Sequence, residues 1–441
     1  MFELESTIVA IATPAGRGGI GIIRLSGKHA LNIAQEIAHR DFQARTPHLC
    51  AWYDETGAVI DTGLTLFFPK PASYTGEDVV ELQGHGSPVL LHDLLHRCIA
   101  LGAVPAEAGE FTRRAVMHGC MDLSQAEAVV ACIDAATVRA GKQAQKQLAG
   151  EFGNKIETLM SALTGVVAHV EACLDFPEEE IPALFLNQLS EQLQAELIQP
   201  MQALLATSTF GERLFSGATV AIVGAPNVGK SSLLNRLIGK NRAIVNETAG
   251  TTRDTLEVDF EVSGIPIRLV DTAGLRESKH AIEQEGIKRA KEAAAVADVV
   301  IWVMDATRDE TWQYSEHYDI ALANKTDLLS APCECGVKGA IPISAQTGSG
   351  IEALMQALAA SLGDMGAEGE DIWVTCERHR LAIQQAMLHI ENALPKLQDE
   401  AHLDLAALDL RQAWSSLGEI IGVGDVEYIL DRVFSEFCIG K

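Results

Sequence analysis

Residues Gly224-Ala225-Pro226-Asn227-Val228-Gly229-Lys230-Ser231 form a glycine-bracketed loop of a kind built to hold phosphate. Thr219-Val220-Ala221-Ile222-Val223 before it reads as a buried strand, and Ser232-Leu233-Leu234-Asn235-Arg236-Leu237 after it as a helix. That is the context the GxxxxGK(S/T) pattern needs. The loop residues Asn227, Val228, Gly229, Lys230, Ser231 and Ser232 are then the expected phosphate contacts, with backbone N–H groups wrapping the anion at the positive end of a helix dipole. Lys230 is expected to reach the β- and γ-phosphates, and the Ser231 hydroxyl to ligate Mg2+.

Later residues choose the base. Ile267-Arg268-Leu269-Val270 reads as a strand ending in Asp271-Thr272-Ala273-Gly274, where Asp271 can hold Mg2+ through water and the Gly274 amide can sense a γ-phosphate. Between the two lies the polar loop Gly250-Thr251-Thr252-Arg253-Asp254, which can offer a threonine hydroxyl to the metal. The strand-like Ile320-Ala321-Leu322-Ala323 leads into Asn324-Lys325-Thr326-Asp327. Asp327 can accept two hydrogen bonds from the N1–H and 2-amino group of guanine, a donor pair that adenine lacks. Ser344-Ala345-Gln346, after Ile341-Pro342-Ile343, supplies a backbone amide toward the guanine oxygen. These residues imply a Ras-like domain that binds GTP with Mg2+ and hydrolyses it.

One position departs from the Ras arrangement. The residue after Gly274 is Leu275 rather than a water-orienting glutamine, so a cation must meet the developing charge from elsewhere. Asn227 can help hold a monovalent cation beside the phosphates, or it serves only the loop's geometry. Glu283 can orient the attacking water, or it lies on a solvated helix face.

The remaining residues must position these loops. Residues 1–118 mix strand-like runs (Thr7 to Ala12, Gly21 to Leu25, Leu64 to Phe68, Val79 to Leu82) with a helix over Leu90 to Leu101, an α+β domain. Residues 119–215 read as helical, opened by a Ser124–Glu127 capping box and continued by Ile156, Leu159, Leu163, Val166, Val167 and Val170 at helical spacing. Residues 369–441 are helical again, and 216–368 carry the nucleotide motifs. The expected fold is multidomain α/β: one discontinuous all-α domain interrupted by an inserted P-loop domain.

Composition bounds the rest. Hydrophobic residues make up 47 % of the chain and the formal net charge is −26, so RNA would be held weakly without a basic partner or a basic patch. Nine scattered cysteines argue against a disulfide scaffold, and Cys333 with Cys335 reads as loop thiols rather than a metal pair. No unbroken apolar run of about 18 residues is present. The acidic Met1-Phe2-Glu3-Leu4-Glu5 is unlike a secretory signal, so a cytoplasmic protein is expected. Cys438, three residues before Lys441, is either a thiolate nucleophile or a small apolar residue packed at a helix end.

With these motifs the chain resembles, over its whole length, the bacterial and organellar tRNA-modification GTPases called MnmE or TrmE. Thr7-Ile8-Val9-Ala10-Ile11-Ala12-Thr13-Pro14 with Gly19-Ile20-Gly21 carries part of the likeness. So do Tyr74-Thr75-Gly76-Glu77-Asp78, Glu81-Leu82-Gln83-Gly84-His85-Gly86 and the terminal Phe437-Cys438-Ile439-Gly440-Lys441. The resemblance implies a folate-binding-like N-terminal domain that dimerises, and a flavin- and NADH-using partner of the MnmG (GidA) kind in a heterotetramer. The complex would place an aminomethyl-type group on carbon 5 of the wobble uridine of certain tRNAs, from a tetrahydrofolate one-carbon unit. By the same resemblance, folate contacts fall on Arg24, Glu81 and Lys441, and potassium contacts on Asn227, Asn246, Thr248 and Thr251. Magnesium ligands fall on Ser231 and Thr252, the water-orienting carboxylate on Glu283, and the nucleotide also meets Glu247, Ala249 and Gly250. GTP hydrolysis would close the two G domains of a dimer and relay a change through the helical domain. Cys120 stands where the family often has a folate-contacting lysine, and the stretch from Asp305 to Asn324 is short for the family. The competing expectation is a GTP-timed ribosome-assembly factor binding rRNA, which would call for a basic RNA-binding module.

Overall fold

The computed structural model describes residues 5–175, 183–240, 260–271, 294–308, 317–329, 337–363, 373–424, 427–435, 437 and 440. The first unit runs β1 (Ile8–Ile11), β2 (Gly18–Ser26), α1 (Ala30–Ala38), β3 (His48–Tyr53), β4 (Val59–Phe68), β5 (Val79–Gly86), α2 (Pro88–Ala100), β6 (Val104–Pro105) and α3 (Glu110–Met117). Its sheet has the order β3-β4-β5-β2-β1-β6, antiparallel except where β1 meets β6. Alternation along β2 and β5 turns Ile23, Leu25, Val80 and Leu82 toward Ile33, Ile37, Leu91 and Leu94 of α1 and α2. The other set, Arg24 and Glu81, sits directly opposite across β2 and β5 on the face that α3 covers in part through Phe111.

Helices α4 (Leu123–Asp134), α5 (Val138–Leu148), α6 (Glu151–Asp175) and α7 (Ala183–Gln192) follow. A π-helical segment, Leu193–Ile198, then precedes α8 (Gln199–Ala206) and α9 (Ser208–Ser216). The cap of α4 corrects the sequence expectation. Asp122 is the N-cap and Gln125 completes the box, while Ser124 lies inside the helix and donates to Asp122 Oδ1 at 2.7 Å. Glu127 is thereby free to pair with distant residues. By length and composition α6 is long and apolar enough to cross a membrane, although polar residues interrupt its apolar run. Its stripe of Phe152, Ile156, Leu163, Val166 and Val170 is buried in the core of the helical unit.

The inserted unit comprises β7 (Ala218–Val223), α10 (Lys230–Lys240), β8 (Phe260–Val262), β9 (Ile265–Asp271), β10 (Val299–Asp305), β11 (Ile320–Asn324), β12 (Ile341–Pro342) and α11 (Ile351–Ser361). Its sheet order is β12-β11-β10-β7-β9-β8, parallel except for the β8–β9 hairpin. The strands are almost wholly apolar because both faces are covered. The chain then returns to the helical unit as α12 (Glu377–Lys396), α13 (Leu403–Ile421) and α14 (Glu427–Ser435).

Where the chain enters and leaves the insertion, the two crossings touch. Val374 N–H donates to Thr207 Oγ1 at 3.0 Å, and a Cβ placed on Gly211 would lie 2.2 Å from Val374 O. A third strand of contact comes from the β8–β9 turn. Arg139 of α5 donates to Ser263 O at 2.8 Å, Thr137 donates to Gly264 O at 2.6 Å, and a Cβ on Gly264 would meet Arg139 Cβ at 2.6 Å. The Arg139 guanidinium also lies over the rings of Phe210 and Trp373, at 4.6 and 4.9 Å.

Candidate nucleotide site

Ligand sites in open α/β sheets lie beyond the carboxyl ends of strands where the strand order reverses. Here β7 has β9 on one side and β10 on the other, so that point falls at the phosphate loop. Asn227 takes a left-handed φ of 64° and Gly229 a φ of 99°. Gly229 also has to be glycine because a Cβ there would meet Asn324 Nδ2 at 2.3 Å. The Lys230 ammonium donates to the loop's own Gly224 and Ala225 carbonyls at 2.8 and 2.9 Å. A cation held across the loop, with helix α10 starting beneath it, is an arrangement that suits phosphate. Ser231 and Ser232 are exposed in the first turn of that helix.

Asn324 joins the phosphate half of the site to the base half. It is 2 % exposed, donates from Nδ2 to Val228 O at 2.8 Å and accepts the Ala345 N–H on Oδ1 at 3.0 Å. The next residue, Lys325, has a φ of 68° and pairs with Asp305 at the end of the neighbouring strand, at 2.6 Å. Burial opposes charge on Asp305, but hydrogen bonds from Lys325 and Thr307 outweigh it and hold the carboxyl below its usual range. Asp327 Oδ1 accepts from Ser344 Oγ at 2.5 Å, which ties its carboxylate to the turn after β12. The sequence did not single out Asp305, although its place at the end of a buried strand was a signal. Nor did it single out Arg236, which donates to Ala345 O at 3.1 Å and to Gln346 O.

The expectations on Asn246, Glu247, Thr248, Ala249, Gly250, Thr251, Thr252, Thr272, Ala273, Gly274 and Glu283 lie outside the described residues, as do those on Cys438 and Lys441. Strand β9 ends at Asp271.

A second polar group occupies the face of the first sheet opposite α1 and α2, beside Phe111 of α3. Arg24 donates to Glu81 Oε1 from Nη2 at 2.9 Å and lies 5.4 Å from the centre of the Tyr74 ring. Gln83 donates to the other Glu81 oxygen at 3.0 Å. Cys120 is exposed and flanks the same Tyr74-to-Glu77 loop, since a Cβ on Gly76 would come within 2.9 Å of its Sγ. Behind them the buried Arg114 links Glu110, Glu77 and the Ser6 carbonyl. The C-terminal segment returns here: Phe437 packs with Leu123 and Phe434, and a Cβ on Gly440 would lie 2.4 Å from Ile11 O.

A mostly parallel sheet whose central strand ends in a phosphate loop, with Asn324 tying that loop to the turn after β12, defines a P-loop nucleotide-binding protein. Profiles described as "GTP-binding protein TrmE N-terminus" and "MnmE helical domain" match residues 7–120 and 123–438. The tRNA modification GTPase MnmE of Azoarcus sp. (strain BH72) is 43 % identical over 446 residues, 98 % of each chain. The protein of that name from Xylella fastidiosa (strain 9a5c) is 43 % identical over 447 residues, 100 % of this chain and 99 % of its own. Among solved structures, the FeoB G-domain from Methanococcus jannaschii is 29 % identical, covering 33 % of this chain and 98 % of its own at a TM-score of 0.25. The chain belongs to the MnmE family of tRNA-modification GTPases.

Proposed function

We propose that this chain is the potassium-dependent GTPase of a tRNA-modifying complex. The reading rests on one observation above the rest: Asn324 bridges the phosphate loop and the base turn in a chain that matches the MnmE relatives from end to end. In this reading Asp327 takes the guanine N1–H and 2-amino group, and Lys230 leaves the Gly224 and Ala225 carbonyls for the β- and γ-phosphates. Ser231 and Thr252 hold Mg2+, with Asp271 acting on it through water. Asn227, Asn246, Thr248 and Thr251 hold K+, and Glu283 orients the water. Bound there, Mg2+ and K+ would supply positive charge toward the transferring phosphoryl group.

Hydrolysis then closes the G domains of a homodimer, and the helical unit relays the change to Arg24, Glu81, Cys120, Lys441 and Cys438. Those residues would hold a tetrahydrofolate derivative as the source of the one-carbon unit, and an MnmG-like flavoprotein with FAD and NADH would act with them on wobble uridine. The net charge of −26 fits a chain that leaves most of the grip on tRNA to that partner. The reading places the protein in the cytoplasm. Purified protein tests the first half: GTP hydrolysis should run faster in KCl than in NaCl and fall about 100-fold or more in Lys230→Ala. Equal rates in the two salts would remove the potassium role.

A further inference from the structure

The turn from Ser344 to Ser349 uses its amides almost completely. Ser344 N–H donates to Ser349 O at 2.9 Å and Gly348 N–H to Ser344 O at 2.8 Å. Ala345 N–H goes to Asn324 Oδ1 at 3.0 Å, Thr347 N–H to Ser344 Oγ at 3.1 Å and Ser349 N–H to Thr347 Oγ1 at 3.4 Å. Among the described residues the Gln346 N–H has no partner, and Gln346 is exposed. The carbonyls on either side of Gln346 Cα and its preceding peptide are both taken by one side chain. Arg236 Nε donates to Ala345 O at 3.1 Å and Nη2 donates to Gln346 O. A trans peptide points its C=O and N–H in opposite directions. Holding Ala345 O therefore fixes where the Gln346 N–H points.

Asp327, tied to this turn through Ser344, is the group that would read N1–H and the 2-amino substituent. The acceptor next to N1 on guanine is O6, so its donor has to come from a group beside Asp327. We propose that Arg236 is a specificity-positioning residue: by gripping the Ala345 and Gln346 carbonyls it aims the unpaired Gln346 N–H at O6 of the bound purine. The inference rests on the guanine reading above. It adds a residue on α10, the helix that also begins at Lys230, so a single rigid element sets both the phosphate contact and the O6 contact. Loss of the grip frees the peptide plane to rotate and weakens one hydrogen bond, while the Asp327 contact is kept.

The test compares GDP with 6-thio-GDP, which keeps N1–H and the 2-amino group but places a poor acceptor at position 6. Titration calorimetry on the full chain should give wild type a preference for GDP of about fivefold or more, the worth of roughly one neutral hydrogen bond. Arg236→Ala should bring that preference to within about twofold and raise the Kd for GDP about fivefold. The ratio is read on Arg236→Lys as well, which can reach one carbonyl and should fall between, so a folding defect in the alanine variant leaves the outcome decided. An unchanged ratio in the variants overturns the proposal, including the case where both nucleotides weaken equally. Failure of wild type to bind GDP at all would instead overturn the guanine reading.

Discussion

At the scale of single residues, Asn324 carries more of the site than its small amide suggests. Its Nδ2 satisfies Val228 O and its Oδ1 satisfies the Ala345 N–H, all in buried surroundings. Alanine would leave a carbonyl and an amide unpaired, a cost of about 1–3 kcal/mol for each group. Asn324→Ala should therefore weaken GDP binding by at least about tenfold, measured by titration calorimetry, and unchanged affinity would contradict the bridging role. The phosphate loop and Asn324-Lys325-Thr326-Asp327 were legible because their signals are local. The partners of Arg236 and Asp305 were not, because they lie 109 and 20 residues away and no spacing rule reaches that far.

Among elements, the β8–β9 hairpin is the inserted unit's grip on the helical unit. Arg139 holds its turn at Ser263 while stacking on Phe210 and Trp373, beside the points where the chain enters and leaves. Removing one charged hydrogen bond and two cation–π contacts costs about 2–3 kcal/mol. Hydrogen exchange at the Phe260–Val262 and Ile265–Asp271 amides should quicken in Arg139→Ala, with GDP still bound. Exchange unchanged from wild type would mean that the hairpin is held by other contacts. Eight of the twelve described strands stand out in the sequence, but β3, β6, β8 and β10 do not; His48-Leu49-Cys50-Ala51-Trp52-Tyr53 of β3 is an edge strand with only Trp52 fully buried and no clean alternation. Pattern reading also chose the wrong capping box, since Ser124–Glu127 and Asp122–Gln125 stand two residues apart and both fit the rule. Tertiary contacts decided between them.

Over the whole molecule, Glu127 joins the two halves of the discontinuous helical domain. It accepts from Arg378 Nε and Nη2 at 2.8 Å each and sits 2.7 Å from His379 Nε2, and Arg378 reaches on to the Glu419 and Ile420 carbonyls. Burial opposes its charge, but His379 and Arg378 prevail and hold the carboxyl at about 2, against an ordinary value of 4.5. A lowered carboxyl pKa stabilises the fold fully above the ordinary value, and that contribution disappears as pH falls toward the folded one. Urea unfolding should show wild type losing stability between about pH 4.5 and pH 2. Glu127→Gln should be weaker by about 3 kcal/mol at pH 7, with the gap closing in acid. A constant gap across that range would assign the cost to packing alone. The insertion itself was legible in two helical blocks flanking an α/β segment, whereas the return of the C-terminal segment to β1 left no trace in local pattern. The most direct test of the proposed function is nucleoside mass spectrometry of tRNA from cells lacking this gene. Aminomethyl-type groups should be missing from wobble uridine, and be restored by wild type but not by Lys230→Ala. Intact wobble nucleosides in the deletion strain would contradict a role in tRNA modification and favour a GTPase acting in ribosome assembly.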